Sequence, residues 1–268
     1  MQALAREMNL SETTFILSRD PATEAREGKK VRIFTVTEEL PFAGHPTLGT
    51  ALHLYARAAP VSEQSTEITL DLKAGKIPVR FTSNSENAGR GRVDGQVFGE
   101  MRQRDSEFGS TLSREEVARV LGIAADEIPW PIQSVSTGLP FAIVGICNQE
   151  TLANLNFPHA QAAEFLKNSD AKFFYFLCPQ RREDRLEARA RMFFYGGEDP
   201  ATGSAAGCAA SWMVQHGIAN SDEQVRDSSS ERNVCARNAR QRTCHKRSRW
   251  RIRGGSAARN RGYLRSDE

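Results

Sequence analysis

Apolar and polar positions along this chain switch repeatedly between a period of two and a helical period. Thr13–Leu17 and Val31–Thr37 read as strands, the second with Val31, Ile33, Phe34 and Val36 set among polar neighbours. Ile68–Leu72 and Ile77–Phe81 predict a hairpin around Gly75, with Ile68, Leu70 and Leu72 sharing one face. Further along, Ile132–Thr137 and Phe141–Val144 flank Gly138-Leu139-Pro140, and Lys172–Cys178 and Leu186–Tyr195 complete the strand set. Between them, residues 2–8 predict a short helix ending near Asn9, and Gln161–Lys167 predicts another. Ser113-Arg114-Glu115-Glu116 is a capping box ahead of Val117, Val120 and Leu121, with Gly122 as the stop. Ser83–Gly95, rich in Asn, Gly and Arg, reads as an exposed loop.

Two further segments are apolar around most of a helical circumference. One follows Pro46 and carries Leu48, Ala51, Leu52, Leu54, Tyr55 and Ala58. The other is expected to open at Pro200 and run to about His216, carrying Ala205, Ala206, Cys208, Ala209, Ala210, Trp212 and Met213, with Gly217 as its stop. Such helices are buried rather than laid on a surface. Each is introduced by glycine, a polar side chain and proline: Gly44-His45-Pro46-Thr47 in the first, Gly197-Glu198-Asp199-Pro200 in the second. Proline suits a first helical turn because the N–H it lacks would have no intrahelical partner. The small Gly203 and Ser204 leave first-turn amides open to an anion, assisted by the helix dipole. The bland alternative is an ordinary capped helix after a tight turn. Short strands around one buried helix in each half predict an α+β fold built as a duplication.

Composition narrows the field. No stretch approaches the roughly 18 apolar residues of a membrane span, and no signal peptide is visible at the start, which favours a soluble cytoplasmic protein. The five cysteines, Cys147, Cys178, Cys208, Cys235 and Cys244, form no C-x-x-C pair and no zinc-like cluster with histidine, so no metal is expected. Net charge is +3, but residues 225–268 hold twelve Arg and one Lys against four acids, a net +9 that leaves the preceding residues at −6. Asp227–Arg253 shows neither helical nor strand periodicity. It reads as a nucleic-acid-binding arm, as a disordered tail, or as an out-of-frame product of GC-rich coding DNA. The scarcity of interleaved aromatics (Trp250 and Tyr263) argues against the first.

Taken in order, Asn9-Leu10-Ser11-Glu12-Thr13-Thr14-Phe15, Phe42-Ala43-Gly44-His45-Pro46-Thr47-Leu48-Gly49, Ser136-Thr137-Gly138-Leu139-Pro140 and Gly197-Glu198-Asp199-Pro200-Ala201-Thr202-Gly203-Ser204-Ala205 resemble the PhzF-like family of phenazine-biosynthesis isomerases. The resemblance spans roughly residues 1–225. It implies a diaminopimelate-epimerase-like fold of two similar domains, each a curved mixed sheet wrapped around a central helix, with the active site in the cleft between them. The domains would be 1–111 and 112–225, followed by the basic segment 226–268. It implies a cofactor-independent isomerase of a small carboxylate-bearing substrate, as in the isomerisation of trans-2,3-dihydro-3-hydroxyanthranilate, and a homodimer.

By the same resemblance Glu12 is the acid/base catalyst, and His45 and Asp199 line the substrate. Gly44, Thr47, Thr202, Gly203 and Ser204, at the two helix starts, would hold the substrate carboxylate. A carboxylic acid that takes up and releases a carbon-bound proton works best when burial brings its pKa toward neutrality. Racemases and epimerases of related fold place a thiol pair at these helix starts. Here those positions carry His45 and Asp199, and Cys208 lies deeper in its helix, which argues against a two-thiol epimerase.

The family pattern also implies a strand and hairpin ahead of the S-E-T motif, where this chain begins in the following helix, and final strands where Asp227–Arg253 stands. The alternative expectation is therefore an inactive, truncated homologue with a binding or structural role.

Overall fold

A computed structural model describes residues 1–57, 67–83, 97–183, 185–195, 197–199, 202–221, 223–227, 249–253 and 261–265. Two compact units divide the chain: Met1–Gln103 with Arg265–Glu268, and Arg104–Leu264.

The first unit begins with α1 (Gln2–Met8), closed by Asn9 in the left-handed conformation, then β1 (Thr13–Leu17), α2 (Pro21–Glu27) and β2 (Lys29–Phe34). β3 (Glu39–Leu40), α3 (Gly44–Arg57), the hairpin of β4 (Glu67–Leu72) and β5 (Gly75–Ser83), and β6 (Val97–Arg102) follow. Its strands lie in the order β1-β2-β4-β5-β6, with β3 added to β2. The β2–β4 pair is parallel and the others antiparallel, so the sheet is mixed. β2 stops at Phe34, three residues short of the expected end. The reason is the Thr35 hydroxyl, which accepts the amides of Thr37 and Glu38 and turns the chain back into β3.

Val31, Ile33, Leu70, Leu72, Ile77, Val79 and Phe81 from the sheet bury against Phe42, Ala43 and Ala51. Tyr55 of α3 stacks on Phe81 with ring centroids 4.4 Å apart. Gly28 ends α2 with φ +87°, and a Cβ there would stand 2.4 Å from the Thr69 carbonyl oxygen of β4. Gly28→Ala is therefore expected to cost about 2–3 kcal/mol, read as a lowered chemical-denaturation midpoint at unchanged slope.

The second unit contains β7 (Glu107–Leu112), α4 (Arg114–Leu121), β8 (Ile132–Ser136), β9 (Pro140–Gly145), α5 (Gln149–Asn154) and α6 (His159–Leu166). β10 (Phe173–Arg182), β11 (Arg185–Phe194), β12 (Gly197–Asp199), α7 (Gly203–Gln215), β13 (Gln224–Asp227), β14 (Arg249–Arg253) and β15 (Arg261–Arg265) complete the described elements. Ser113 caps α4 by accepting the Glu116 amide, and Gly122 closes it in the left-handed conformation, as the capping box requires. Strand order is β14-β13-β11-β10-β9-β8-β7, with β12 added to β11. The β9–β10 and β11–β13 pairs are parallel within an otherwise antiparallel sheet.

Both faces of this second sheet are covered, which is why Phe173–Cys178 is an unbroken apolar run. Alternate residues divide between the faces. Phe141, Ile143, Phe173, Tyr175 and Leu177 pack with α7, whereas Ala142, Val144, Phe174, Phe176 and Cys178 pack with α4, α5 and α6.

Three sequence expectations need correcting. First, α3 and α7 are not equivalent. Every residue of α7 from Ser204 to Met213 is buried, but α3 buries only Gly44, Pro46, Thr47, Thr50 and Ala51, leaving His45, Gly49, His53, Ala56 and Arg57 exposed. Polar residues spaced along α3 give it a solvent side that the Ala-rich α7 lacks. Second, α3 starts at Gly44, ahead of Pro46, while α7 starts at Gly203, after Thr202. Pro46 is tolerated as the third residue because no first-turn N–H has an intrahelical acceptor. Third, Arg249–Arg253 is a strand antiparallel to β13. Trp250 and Ile252 alternate there with arginines, a period of two obscured by the basic composition. Ala58, the loop expected over 83–95 (beyond Ser83), Pro200, Ala201, Cys235, Cys244 and the basic stretch 228–248 lie outside the described residues. Among the described residues no helix is long and apolar enough to cross a membrane.

Candidate active site

In the first unit the turn after Asn9 carries Ser11 and Glu12 to the start of β1. β1 is held on one side by its ladder with β2. On the other, the Thr50 hydroxyl of α3 donates to that of Thr14 at 2.9 Å. This pins Thr14, two residues after Glu12, to the second turn of α3, and the first turn of the same helix carries His45. Glu12 Oε2 lies 3.2 Å from His45 Nε2, with the glutamate side chain 15% exposed and the imidazole 60% exposed. That oxygen is nonetheless buried and accepts no aligned hydrogen bond, and Thr13 Oγ1 shares this condition. The Glu12–His45 contact is thus one of proximity and charge, and carries an ion pair only when the imidazole is protonated. A buried carboxylate oxygen without a donor costs about 1–3 kcal/mol. It is the kind of group that gains by accepting a hydrogen bond from a substrate donor.

The remaining candidate residues of this helix start are buried. Gly44 is the first residue of α3 and is buried. Thr47 is fully buried, and its hydroxyl donates to the Ala43 carbonyl at 2.6 Å, tightening the turn that presents His45.

In the second unit Asp199 ends β12, paired with Met192 of β11. The Thr202 hydroxyl donates to Asp199 Oδ2 at 2.6 Å. Thr202 is the N-cap residue of α7, yet its side chain makes no capping bond because it is turned to Asp199. Gly203 and Ser204 form the first helical residues, and Ser204 is buried. The S-T-G-L-P segment packs onto this helix start. Thr137 Oγ1 lies 3.5 Å from both the Ser204 carbonyl oxygen and Cys208 Sγ. Gly138, with φ +134°, makes the turn that brings Thr137 there. Geometry therefore groups Glu12 with His45, and Asp199 with Thr202 next to the start of α7.

The thiols do not suit covalent or proton-transfer work. Burial pushes the Cys208 thiol up to about 11, and burial followed by the nearby Cys147 pushes Cys178 up to about 11. Cys147 is raised by burial and by donating to the Glu127 carboxylate. Iodoacetamide near pH 8 is therefore expected to leave Cys178 and Cys208 unmodified in the native protein, as read by peptide mapping. Rapid labelling of Cys208 would revive the two-thiol reading. Among the described residues, no group of three or more His, Cys, Asp or Glu is placed to hold a metal ion.

No motif marks the Thr14–Thr50 bond that braces Glu12. Two threonines on different elements carry no spacing signal. Glu198, beside Asp199, stands inside a quoted motif but has no role in the sequence reading.

The model of the phenazine biosynthesis-like protein family matches residues 1–262. The trans-2,3-dihydro-3-hydroxyanthranilate isomerase of Pseudomonas chlororaphis is 34% identical over 84% of this chain and 72% of its own length. An uncharacterized isomerase of Clostridium acetobutylicum is 30% identical with the same coverage. Among solved structures, a Bacillus anthracis phenazine biosynthesis protein of the PhzF family superposes with a TM-score of 0.70 at 20% identity, covering 99% of this chain and 84% of its own. The fold is accordingly α+β and diaminopimelate-epimerase-like. The chain belongs to the phenazine biosynthesis-like protein family and is, by resemblance, an isomerase-type enzyme.

Proposed function

We propose that this protein is a cofactor-independent isomerase that moves a proton within a small, carboxylate-bearing ring substrate of the dihydro-hydroxyanthranilate kind. The observation that carries this reading is the buried Glu12 Oε2, without a hydrogen-bond donor, 3.2 Å from His45 Nε2. As a carboxylate, Glu12 takes a proton from a substrate C–H while the ring double bond shifts. As a carboxylic acid that exchanges its proton with solvent, it then protonates a different ring carbon. Atoms and electrons balance with no external oxidant or reductant. His45 stands beside the carboxylate and stabilises whichever charge state the step leaves.

The family resemblance assigns Asp199, Thr202, Gly203 and Ser204 to the substrate, and first-turn amides of a helix favour a carboxylate. Gly44 and Thr47 serve by shaping the turn that carries His45. The same resemblance supports a cytoplasmic homodimer, which sedimentation equilibrium would measure directly.

The test is incubation of trans-2,3-dihydro-3-hydroxyanthranilate with the protein in D₂O, followed by NMR. Isomerisation with deuterium at the newly protonated ring carbon is the expected result. A cooperatively folded protein that neither isomerises the compound nor exchanges its protons would sink this reading and leave the inactive-homologue alternative.

A further inference from the structure

β12 is three residues long, too short to be stable on its own, yet it ends in Asp199. Beside its backbone pairing with β11, one side chain of β11 braces it. Arg191 of β11 sets Nε and Nη2 against Glu198 Oε1 and Oε2 at 2.7 and 2.8 Å, a bidentate fork. Its remaining nitrogen, Nη1, donates to the carbonyl oxygens of Leu152, Ala153 and Leu155 at 2.9, 3.1 and 3.1 Å, at the C-terminal end of α5. The guanidinium also lies over the Phe193 ring, 4.6 Å from its centroid. All three guanidinium nitrogens are thus engaged on a side chain only 21% exposed.

The register shows what this accomplishes. Phe193 pairs with Glu198 and Met192 with Asp199. Successive side chains in a strand point to opposite faces, so Glu198 shares a face with Phe193 and, diagonally, with Arg191. Asp199 is delivered to the other face, where Thr202 donates to it. Fixing Glu198 therefore fixes the turn and register that orient the Asp199 carboxylate, from the opposite face of the strand.

We propose that Arg191 is a positioning residue for Asp199, acting through Glu198 and tying the Asp199 strand to the end of α5. The inference rests on the reading of Asp199 as a substrate-lining group, so two readouts separate them. Amide hydrogen exchange over Gly197–Asp199 reads positioning without any turnover. Arg191→Met and Glu198→Gln should each speed exchange there by at least about ten-fold, while exchange in β8 and β9 stays as in the parent. Arg191→Lys keeps the charge but not the fork and should behave like Arg191→Met.

The kinetic readout is a double-mutant cycle with Asp199→Asn, using trans-2,3-dihydro-3-hydroxyanthranilate. Arg191→Met should lower kcat/KM by about ten- to a hundred-fold in the parent, chiefly through KM, and by much less when Asp199 is already Asn. Unchanged exchange at β12 in Arg191→Met, or its full kinetic cost on the Asp199→Asn background, would overturn the proposal. Parent-like kinetics in Asp199→Asn itself would instead overturn the reading of Asp199, with the exchange result standing apart. Should Arg191→Met fail to fold, Glu198→Gln, which keeps volume and leaves the α5 carbonyls capped, decides the question.

Discussion

Glu12→Gln is expected to lower kcat by about a thousand-fold while KM stays within a few-fold of the parent value. Glutamine preserves the shape of the side chain and can still touch a ligand, but it cannot take up and return a proton. Deuterium uptake at the substrate carbon should fall in step with kcat, because both pass through the same proton transfer. Stability should respond in the opposite sense to most buried substitutions. Glu12 Oε2 is buried without an aligned donor, so glutamine breaks no hydrogen bond at that oxygen. The unfolding midpoint should therefore hold near the parent value or rise, the exchange of stability for activity expected at a proton-transfer site. Undiminished deuterium uptake by Glu12→Gln would remove Glu12 as the catalyst. A large loss of stability would show that the carboxylate is structural.

The parts of this fold that were legible in the sequence are those decided by local chemistry. Ser113 and Gly122 bound α4 because a hydroxyl cap and a left-handed glycine act within one turn. The β4–β5 hairpin around Gly75 and the strand Thr13–Leu17 follow from patterning alone. α2 and α5 escaped although each carries a local cap, Asp20 accepting the Thr23 amide and Asn148 the Glu150 amide, because six or seven residues give too short a periodicity to read. β12 escaped because three residues are a strand only through pairing with β11, and α5 ends against an arginine from a distant strand. The different burial of α3 and α7 was hidden because a helix apolar on most sides does not announce whether one face or all of it is covered.

The candidate site divides in the same way. Glu12, His45 and Asp199 were reached through motif resemblance, since an isolated Ser-Glu-Thr has no chemical signature. The approach of Glu12 to His45 goes with the Thr14–Thr50 bond that ties β1 to α3, and Arg191 is one of several arginines that alternate along β11. Pairing among exposed-looking residues on separate elements is a property of the assembled sheet and helix, which no periodicity encodes.

Trp212→Ala is expected to cost about 3–5 kcal/mol, a large fraction of the stability of a typical domain. Trp212 is fully buried in the α7 core. Its indole N–H donates to the Pro131 carbonyl at 3.0 Å, and its ring meets Trp130 edge-on at 6.4 Å. Truncation leaves a cavity, a carbonyl without its donor and an unsupported Trp130 at once. Trp212→Phe fills most of the cavity and loses only the hydrogen bond, so it should cost roughly half as much. Gly145 supplies an internal check. A Cβ there would come within 2.6 Å of Trp130 and 2.7 Å of Trp212, so Gly145→Ala alone is destabilising. With Trp212 already Ala, one of the two clashes is gone, and the added cost of Gly145→Ala should drop by about 1 kcal/mol or more in denaturant-unfolding measurements. Strict additivity of the pair would mean that Trp212 does not set the spacing between α7 and β9. If it does set it, Trp212→Ala will also degrade turnover, because α7 is the same rigid element whose first turn carries Gly203 and Ser204.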